Sequence, residues 1–219
     1  MTIRDWVVRK VVDGNVCGVE QVGMQGFIAI RTDLRNARAY CPEPSDVDPF
    51  TPDDLLRARE EMPGLEYVVV VRRRVANATY PLADELEIGI SGLFVFQAAL
   101  ASEPCVAQYR TNEQQYVWRR LTGNQYVDRV RRCGQSAYEI TRVAWFRTLR
   151  IVTLHHYELT SDEVYYLVTS HAELNLDAIV ITNPSCMSPS PEATEAARDA
   201  GTLITTFRDF QDRLGAEWT

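Results

Sequence analysis

Arginine is concentrated in one short stretch of the chain, residues 119–132, which aromatic residues flank and interrupt. A guanidinium group binds phosphate oxygens through a fork of N–H donors, and an aromatic ring stacks on a nucleobase. This combination predicts a surface that binds nucleic acid. An amphipathic helix with an arginine-rich solvent face would give the same pattern. The arginines are Arg119, Arg120, Arg129, Arg131 and Arg132, and the aromatic residues are Tyr116, Trp118 and Tyr126.

A second arginine group follows residues 67–71, an apolar run typical of a buried strand. Open α/β sheets often hold ligands at the carboxyl ends of their strands. Because side chains alternate along a strand, Arg72 and Arg74 would point one way and Arg73 the other. We therefore add Arg72 and Arg74 to the predicted nucleic-acid-binding residues.

Histidines and carboxylates are the other candidates for chemistry. If the strand predicted over residues 149–155 continues, His156 and Glu158 share one of its faces and His155 lies on the other. Two ligands are too few for zinc, which takes three or four. The sequence therefore predicts no metal site, no cofactor and no catalytic residue. If the chain is an enzyme, we expect a Mg²⁺-dependent reaction that uses Glu139, Glu158 and His156, with Glu20 and Asp33 as further acids.

Composition excludes several classes of protein. The chain has 219 residues, of which 46% are hydrophobic and 24% charged, and a net charge of −7 that argues against coating nucleic acid through its overall field. It lacks the common nucleotide-binding, hydrolase and metalloprotease motifs. Five widely spaced cysteines without a CxxC pair predict reduced thiols. With no apolar run of membrane-spanning length and no signal peptide, we expect a cytoplasmic protein without membrane contact.

Local patterns in the first half predict helices that alternate with strands. Thr51-Pro-Asp-Asp is a strong helix start, because Thr caps the helix, Pro suits its first turn and acids favour its positive end. Gln25-Gly26 predicts a hairpin turn, and the proline-rich residues 42–49 predict a loop. Helices are expected over 4–12, 51–62, 80–87 and 94–101, and strands over 16–24, 27–32, 37–41, 67–71 and 88–90.

The second half repeats this order. Its predicted helix over 113–132 would place Arg120 and Arg131 within about 20° of each other. Residues 65–71 align with 176–182, and Gln97 aligns with Gln211, at a spacing near 110 residues. We therefore predict two tandem α/β units, 1–103 and 104–219, related by duplication, although two unrelated α/β segments could share these signals. The other predicted strands are 137–146, 149–155, 177–182 and 202–206, and the other helices begin at 160, 188 and 209.

Four segments, residues 159–164, 176–182, 191–197 and 207–214, carry a resemblance to a known family. Their order resembles the restriction-endonuclease-like (PD-(D/E)XK) nuclease fold, and the C-terminal half resembles its Mrr-type branch. That resemblance implies a nuclease whose strand acids hold Mg²⁺ beside an acid-x-lysine pair. The corresponding strands here, 37–41 and 150–158, lack the pair, and Lys10, the only lysine, lies in the first helix.

These patterns lead to one functional expectation and two alternatives. We expect a catalytically degenerate nuclease-like protein that binds DNA, RNA or a partner protein in a DNA-processing or defence assembly. One alternative is a divergent Mg²⁺-dependent endonuclease, the only case that requires a cofactor. The other is a structural subunit of a larger complex without nucleic-acid contact, which the negative charge favours.

Overall fold

The computed structural model describes residues 2–14, 17–143 and 145–218. The chain is a mixed α/β structure that divides into two compact units, Met1–Thr111 (unit 1) and Asn112–Thr219 (unit 2). The sequence placed this boundary after residue 103. Residues 104–111 belong to unit 1 because the fully buried side chain of Val106 packs there in the same core cluster as Phe96 and Leu100.

Unit 1 is built on one main sheet and a small second sheet. The elements are, in chain order, α1 (Ile3–Asp13), β1 (Gly18–Val22), β2 (Gly26–Ile30), β3 (Ala37–Tyr40), β4 (Ser45–Phe50), α2 (Pro52–Glu61), β5 (Tyr67–Val69), β6 (Arg73–Val75), α3 (Thr79–Glu85), β7 (Gly89–Ser91) and α4 (Leu93–Ser102). The main sheet has the order β1-β2-β3-β5-β7, in which the first three strands are antiparallel and the last two run parallel to β3.

Unit 2 has one sheet. The elements are α5 (Asn112–Thr122), β8 (Val127–Arg132), β9 (Ala137–Arg142), β10 (Leu149–Leu154), α6 (Ser161–Ser170), β11 (Ala178–Ile181), α7 (Pro191–Asp199), β12 (Leu203–Thr206) and α8 (Phe207–Asp212). The sheet has the order β8-β9-β10-β11-β12, again with three antiparallel strands followed by two parallel ones.

The two main sheets therefore have the same strand order and the same strand directions. Their register also corresponds, because Ala39 pairs with Tyr67 as Ile151 pairs with Ala178. Core clusters cover both faces of each sheet, which explains why β5 and β11 are apolar on both parities and fully buried.

Two helix starts predicted from the sequence occupy the same place in each unit. The hydroxyls of Thr51 and Thr160 each accept a hydrogen bond from the N–H three residues later, at Asp54 and Glu163. Each of those carboxylates accepts the threonine N–H in return. Both helices thus begin with a complete capping box.

A buried arginine at the end of the second sheet strand holds the last helix in both units. The Nη1 group of Arg31 donates to the carbonyl of Leu100 (3.3 Å), and that of Arg142 donates to the carbonyl of Leu214 (2.9 Å). Other guanidinium N–H groups bond further backbone carbonyls nearby. Each side chain therefore ties the end of the second strand to backbone carbonyls at the end of the last helix.

An acid just before the fourth sheet strand also recurs. Glu66 accepts the N–H of Arg38 (3.1 Å) and binds the guanidinium of Arg35. Asp177 accepts the N–H of Arg150 (2.7 Å) and binds Arg147 (2.5 Å). In both units the acid ties the start of the fourth strand to the third.

Two sequence-based predictions of local structure in unit 1 were wrong. The hairpin turn is residues 23–25 and not Gln25-Gly26, since Gly26 already pairs with Val22 and Gly23 adopts a positive φ of 59°. Residues 45–50 of the expected loop form β4, which pairs with β6 in a two-stranded parallel sheet. The strand expected to begin at Val16 begins at Gly18 within the described residues, and Val16 lies outside them.

The third error changes the arrangement of the arginines. The predicted helix over 113–132 is two elements, α5 and β8. The helix ends at Gly123-Asn124, where the Asn124 carbonyl and side-chain oxygen accept backbone N–H groups and form a turn. After this turn Val127 begins a strand at the edge of the sheet, a position that tolerates charged side chains. Arg120 and Arg131 therefore do not share a helix.

Candidate nucleic-acid interface

An open groove of about 820 Å³ lies between α5 and α8 of unit 2. It combines arginines, amide side chains and one aromatic ring, and we call it the basic groove. Its lining residues are Tyr116, Arg119, Arg120, Gly123, Asn124, Arg208, Gln211 and Asp212. Asp212 is the one carboxylate among them.

Direct contacts between α5 and α8 fix the walls of the basic groove. The Gln211 amide donates to the carbonyl of Arg120 (3.1 Å), and the Arg120 guanidinium donates to the Gln211 side-chain oxygen (2.7 Å). The ring of Tyr116 packs on Phe207, with 5.4 Å between centroids. Arg120, Gln211 and Tyr116 are therefore held in place before any ligand binds.

The basic groove carries a net positive charge, because its three arginines outnumber its one carboxylate, Asp212. Arg119 and Arg208 are exposed, and neither forms an ion pair with a described residue. Arg120 bonds to the neutral amide of Gln211 and keeps its full charge. Three guanidinium groups thus face an open groove in a chain whose net charge is −7.

The predicted arginines of β8 lie elsewhere. Val130 packs on the core beneath α5, so alternation places Arg129 and Arg131 on the opposite face of the sheet. Arg131 forms an ion pair with Glu139 (2.8 Å), and Arg132 donates to the carbonyl of Gly134 (3.1 Å). Of the five arginines predicted in this segment, the structure brings only Arg119 and Arg120 together.

The arginines after β5 do not continue that strand as predicted, because β5 ends at Val69 and Arg73 begins β6 of the second sheet. Arg72 and Arg74 are exposed, and Arg72 adopts a positive φ of 51°. Arg73 turns the other way and forms an ion pair with Asp54 (3.0 Å), which binds the second sheet of unit 1 to α2. Arg72 and Arg74 lie outside the basic groove.

No protein-family model, curated protein or solved structure matches this chain. Its function must therefore be argued from its own side chains.

The strands that would carry nuclease acids in the resembled fold carry other groups. In unit 2, Thr153 of β10 donates through its N–H (2.8 Å) and its hydroxyl (3.3 Å) to the carbonyl of Ser136. In unit 1 the corresponding residue is Cys41, which directly follows β3 and is fully buried. Within residues 2–14, 17–143 and 145–218, no three His, Cys, Asp or Glu side chains are arranged to hold a metal ion.

The acids named for a divergent enzyme are dispersed. Glu139 lies between Arg131 and Arg150. Burial raises the pKa of the Glu139 carboxyl, but hydrogen bonds from Arg150 and Arg131 outweigh burial and hold this pKa below its usual value. Glu20 lies on β1, Asp33 follows β2, and Glu158 follows β10, all exposed.

His156 and Glu158 do not share a strand face, because β10 ends at Leu154. The Nδ1 atom of His156 lies 2.7 Å from Glu163 Oε1 in the first turn of α6. The Thr160 N–H holds the pKa of Glu163 below its usual value, and the bond to His156 lowers it further. His156 is therefore anchored to an ionised carboxylate.

His155 belongs to a polar chain that the sequence did not predict. Its Nδ1 atom lies 3.0 Å from the Thr182 hydroxyl, which lies 2.9 Å from Oε1 of Glu113. Glu113, Thr182, Arg208 and Gln211 were all missed as site residues, since each meets its partner across a long sequence separation. The alignment of Gln97 with Gln211 was the one available signal.

The cysteines offer no activated nucleophile. All five are free thiols, as the sequence predicted. Burial raises the pKa of Cys133 to about 11 and raises that of Cys41 further. These two thiols are therefore protonated near neutral pH and unreactive.

None of the described helices has the length and apolar character needed to cross a bilayer.

Proposed function

We propose that this chain binds nucleic acid through the basic groove of unit 2. The observation that carries the proposal is the convergence of Arg119, Arg120 and Arg208 on an open groove without a neutralising ion pair. Guanidinium groups bind phosphate oxygens bidentately, and the Tyr116 ring beside them offers a surface for base stacking.

The negative charge of the rest of the chain favours a localised contact. A polyanion is repelled by most of a surface whose net charge is −7, and the basic groove is an exception to that repulsion. Phosphate contacts carry no base sequence information, so we expect binding that depends steeply on salt and little on sequence.

We further propose that the two units are copies of one nuclease-like domain that has lost the acids for Mg²⁺-dependent cleavage. The shared strand order, the equivalent register and the repeated arginine and acid contacts support a duplication. The order of one helix, three antiparallel strands and alternating helices and parallel strands supports the resemblance to restriction-endonuclease-like proteins. The dispersed acids support binding over Mg²⁺-dependent cleavage.

Charge reversal tests the basic groove. We expect the double variant Arg119→Glu/Arg208→Glu to bind labelled oligonucleotides at least tenfold more weakly, measured by fluorescence anisotropy. The slope of log affinity against log salt should flatten by roughly 1.5, since two phosphate contacts are lost. Both side chains are exposed, so the melting temperature should stay nearly unchanged.

A matched control uses the same charge change elsewhere in unit 2. Arg129 lies on the other face of the sheet, and Arg198 lies on α7 in an exposed pair with Glu195. The double variant Arg129→Glu/Arg198→Glu should bind nearly as well as the original chain. Equal weakening in both double variants would refute the basic groove as the binding site.

A further inference from the structure

Two parallel strands of unit 2 end side by side at a histidine and a threonine. Leu154 and Ile181 pair at the carboxyl ends of β10 and β11, and His155 and Thr182 follow them directly. This edge is where open α/β sheets commonly bind ligands. Glu113, in the first turn of α5, reaches the same point through its bond to Thr182.

The contacts of Thr182 favour one tautomer of His155. The Thr182 hydroxyl lies 2.9 Å from Oε1 of Glu113 and 3.1 Å from the carbonyl of Leu154, two oxygens that are each in position to accept its single proton. We assign the hydroxyl proton to one of these two oxygens. The Thr182 oxygen is left to accept from Nδ1 of His155, at 3.0 Å.

In the neutral ring this tautomer leaves the lone pair of Nε2 free. His155 is exposed, and within the described residues its only hydrogen bond is the one through Nδ1. Thr182 is 7% exposed and is held through both its hydroxyl and its backbone N–H, which donates to the carbonyl of Leu154, so it keeps the ring in one orientation. A fixed imidazole with a free Nε2 lone pair is the usual form of a general base.

The same helix connects this base to the basic groove. Glu113 begins α5, and Arg119 and Arg120 lie near its end. At 1.5 Å per residue the separation along the helix is roughly 10 Å, which is about three nucleotides at the 3.4 Å rise of a stacked strand. The distance from the basic groove to the polar chain is therefore within the span of a few nucleotides.

Unit 1 has no counterpart of this polar chain. The equivalent register places Glu43 where unit 2 has His155, and Val71 where it has Thr182. On the first helix Ile3 takes the place of Glu113, because the Gln97 contact with Lys10 matches the Gln211 contact with Arg120. The polar chain is thus not required to build the fold.

We propose that Nε2 of His155 is the general base of a site that cleaves RNA held in the basic groove, with Thr182 and Glu113 as positioning residues. The proposal rests on the proposed function. RNA fits because its own 2′-hydroxyl supplies the nucleophile, so that a single base can start the reaction.

The step balances without a further reactant. Nε2 takes the proton of a ribose 2′-hydroxyl, the 2′-oxygen attacks the adjacent phosphorus, and the bond from phosphorus to the 5′-oxygen breaks. The departing oxygen takes a proton from water, and the imidazolium returns its proton to the hydroxide that remains. The products are a 2′,3′-cyclic phosphate and a free 5′-hydroxyl.

The experiment uses the full chain, a labelled single-stranded RNA and excess EDTA. We expect slow cleavage that leaves 2′,3′-cyclic phosphate ends, and no cleavage of the same sequence with 2′-O-methyl riboses. His155→Ala should lower the rate by roughly 100-fold or more, and added imidazole should restore part of it. The proposal would be overturned if His155→Ala still cleaved the RNA at the original rate. It would also be overturned if His156→Ala lost cleavage while His155→Ala kept it.

The positioning residues are tested by separating kcat from KM. Thr182→Val should lower kcat and leave KM nearly unchanged, and Thr182→Ser should restore kcat because the hydroxyl returns. Thr169→Val, at an exposed position of α6, is the matched control and should behave as the original chain. If Thr182→Val has the same kcat as the original chain, Thr182 does not position His155.

Binding of the 2′-O-methyl RNA separates the two proposals. If it binds in the basic groove but the natural RNA is never cut, the cleavage proposal fails and the proposed function stands. If it does not bind, the proposed function fails, and any cleavage would have to occur without the basic groove.

Discussion

Units 1 and 2 share their strand order and the contacts that hold their helices, but they differ at the positions that face open grooves. Arg31 and Arg142 hold the last helix in each, and Gln97 and Gln211 both bond to the first helix. Contacts found in both units serve the fold. Features found in one unit only are the better candidates for function.

One difference lies where the first and last helices meet. Both first helices end with a basic pair, Arg9 and Lys10 in unit 1 and Arg119 and Arg120 in unit 2. On the last helix Phe94, 85% exposed, takes the place of Arg208. The last helix therefore adds a third positive charge in unit 2, whereas in unit 1 it presents an apolar ring at the same position.

Removing the shared arginine should have the largest effect in either unit. Arg31 is 7% exposed and Arg142 is 3% exposed, and both bond backbone carbonyls that no other group satisfies as directly. We expect Arg31→Met and Arg142→Met each to lower the free energy of unfolding by about 3 kcal/mol. Urea denaturation measures this.

The control for this comparison is Arg129→Met on the exposed edge strand, which should cost less than about 0.5 kcal/mol. A large loss of unfolding free energy from one substitution and none from the other would show that the two arginines are not equivalent. The repeated contacts would then no longer support a common origin of the two units.

Exchanging the differing residue should affect binding more moderately. Arg208→Phe gives unit 2 the residue of unit 1 and removes one phosphate contact, so the affinity for an oligonucleotide should fall by about tenfold, or 1.4 kcal/mol. The melting temperature should hold, because the position is exposed in both units. Unchanged affinity would mean that the difference between the last helices has no role in binding.

The ion pairs of Glu139 should give a smaller, pH-dependent effect that unit 1 lacks, since Ile28 occupies the equivalent position. Arg150 and Arg131 hold the pKa of Glu139 below its usual value. The stabilisation is therefore fully present above the ordinary glutamate pKa of about 4.3 and is lost as the pH falls through the lowered pKa.

Glu139→Gln should accordingly cost about 1 kcal/mol or less at pH 7, because the arginine partners are nearly half exposed. At pH 3 the cost should shrink. Glu195→Gln removes a fully exposed pair and should cost nothing at either pH. A cost for Glu139→Gln that grows toward pH 3 would contradict the direction of the pKa shift.

Much of the fold was predictable because its signals are local. Each of these signals lies within a few consecutive residues. Examples are the helix caps at Thr51 and Thr160 and the apolar runs of β5 and β11. The strand β8 was missed because its two core-facing valines, Val127 and Val130, are three residues apart, a helical spacing that a register shift between Val127 and Arg129 accommodates in the strand. The arginine-rich pattern was mistaken for helix on that account.

The sites were predictable only in part, for a different physical reason. Arg119 and Arg120 were visible as a cluster of charge in the sequence. Arg208 joins them only because α8 packs beside α5, and Glu113 meets Thr182 across 69 residues. Such contacts arise from tertiary packing, which spacing along the chain does not encode.

The most direct test of the comparison is side-chain footprinting with and without a bound single-stranded oligonucleotide. Tyr116 and Phe94 are matched reporters, because both are exposed aromatic residues on the first or last helix of their units. We predict that the oligonucleotide protects Tyr116 from hydroxyl-radical oxidation and leaves Phe94 as reactive as before. Protection of Phe94 with no change at Tyr116, or protection of neither, would contradict the assignment of nucleic-acid binding to the basic groove of unit 2.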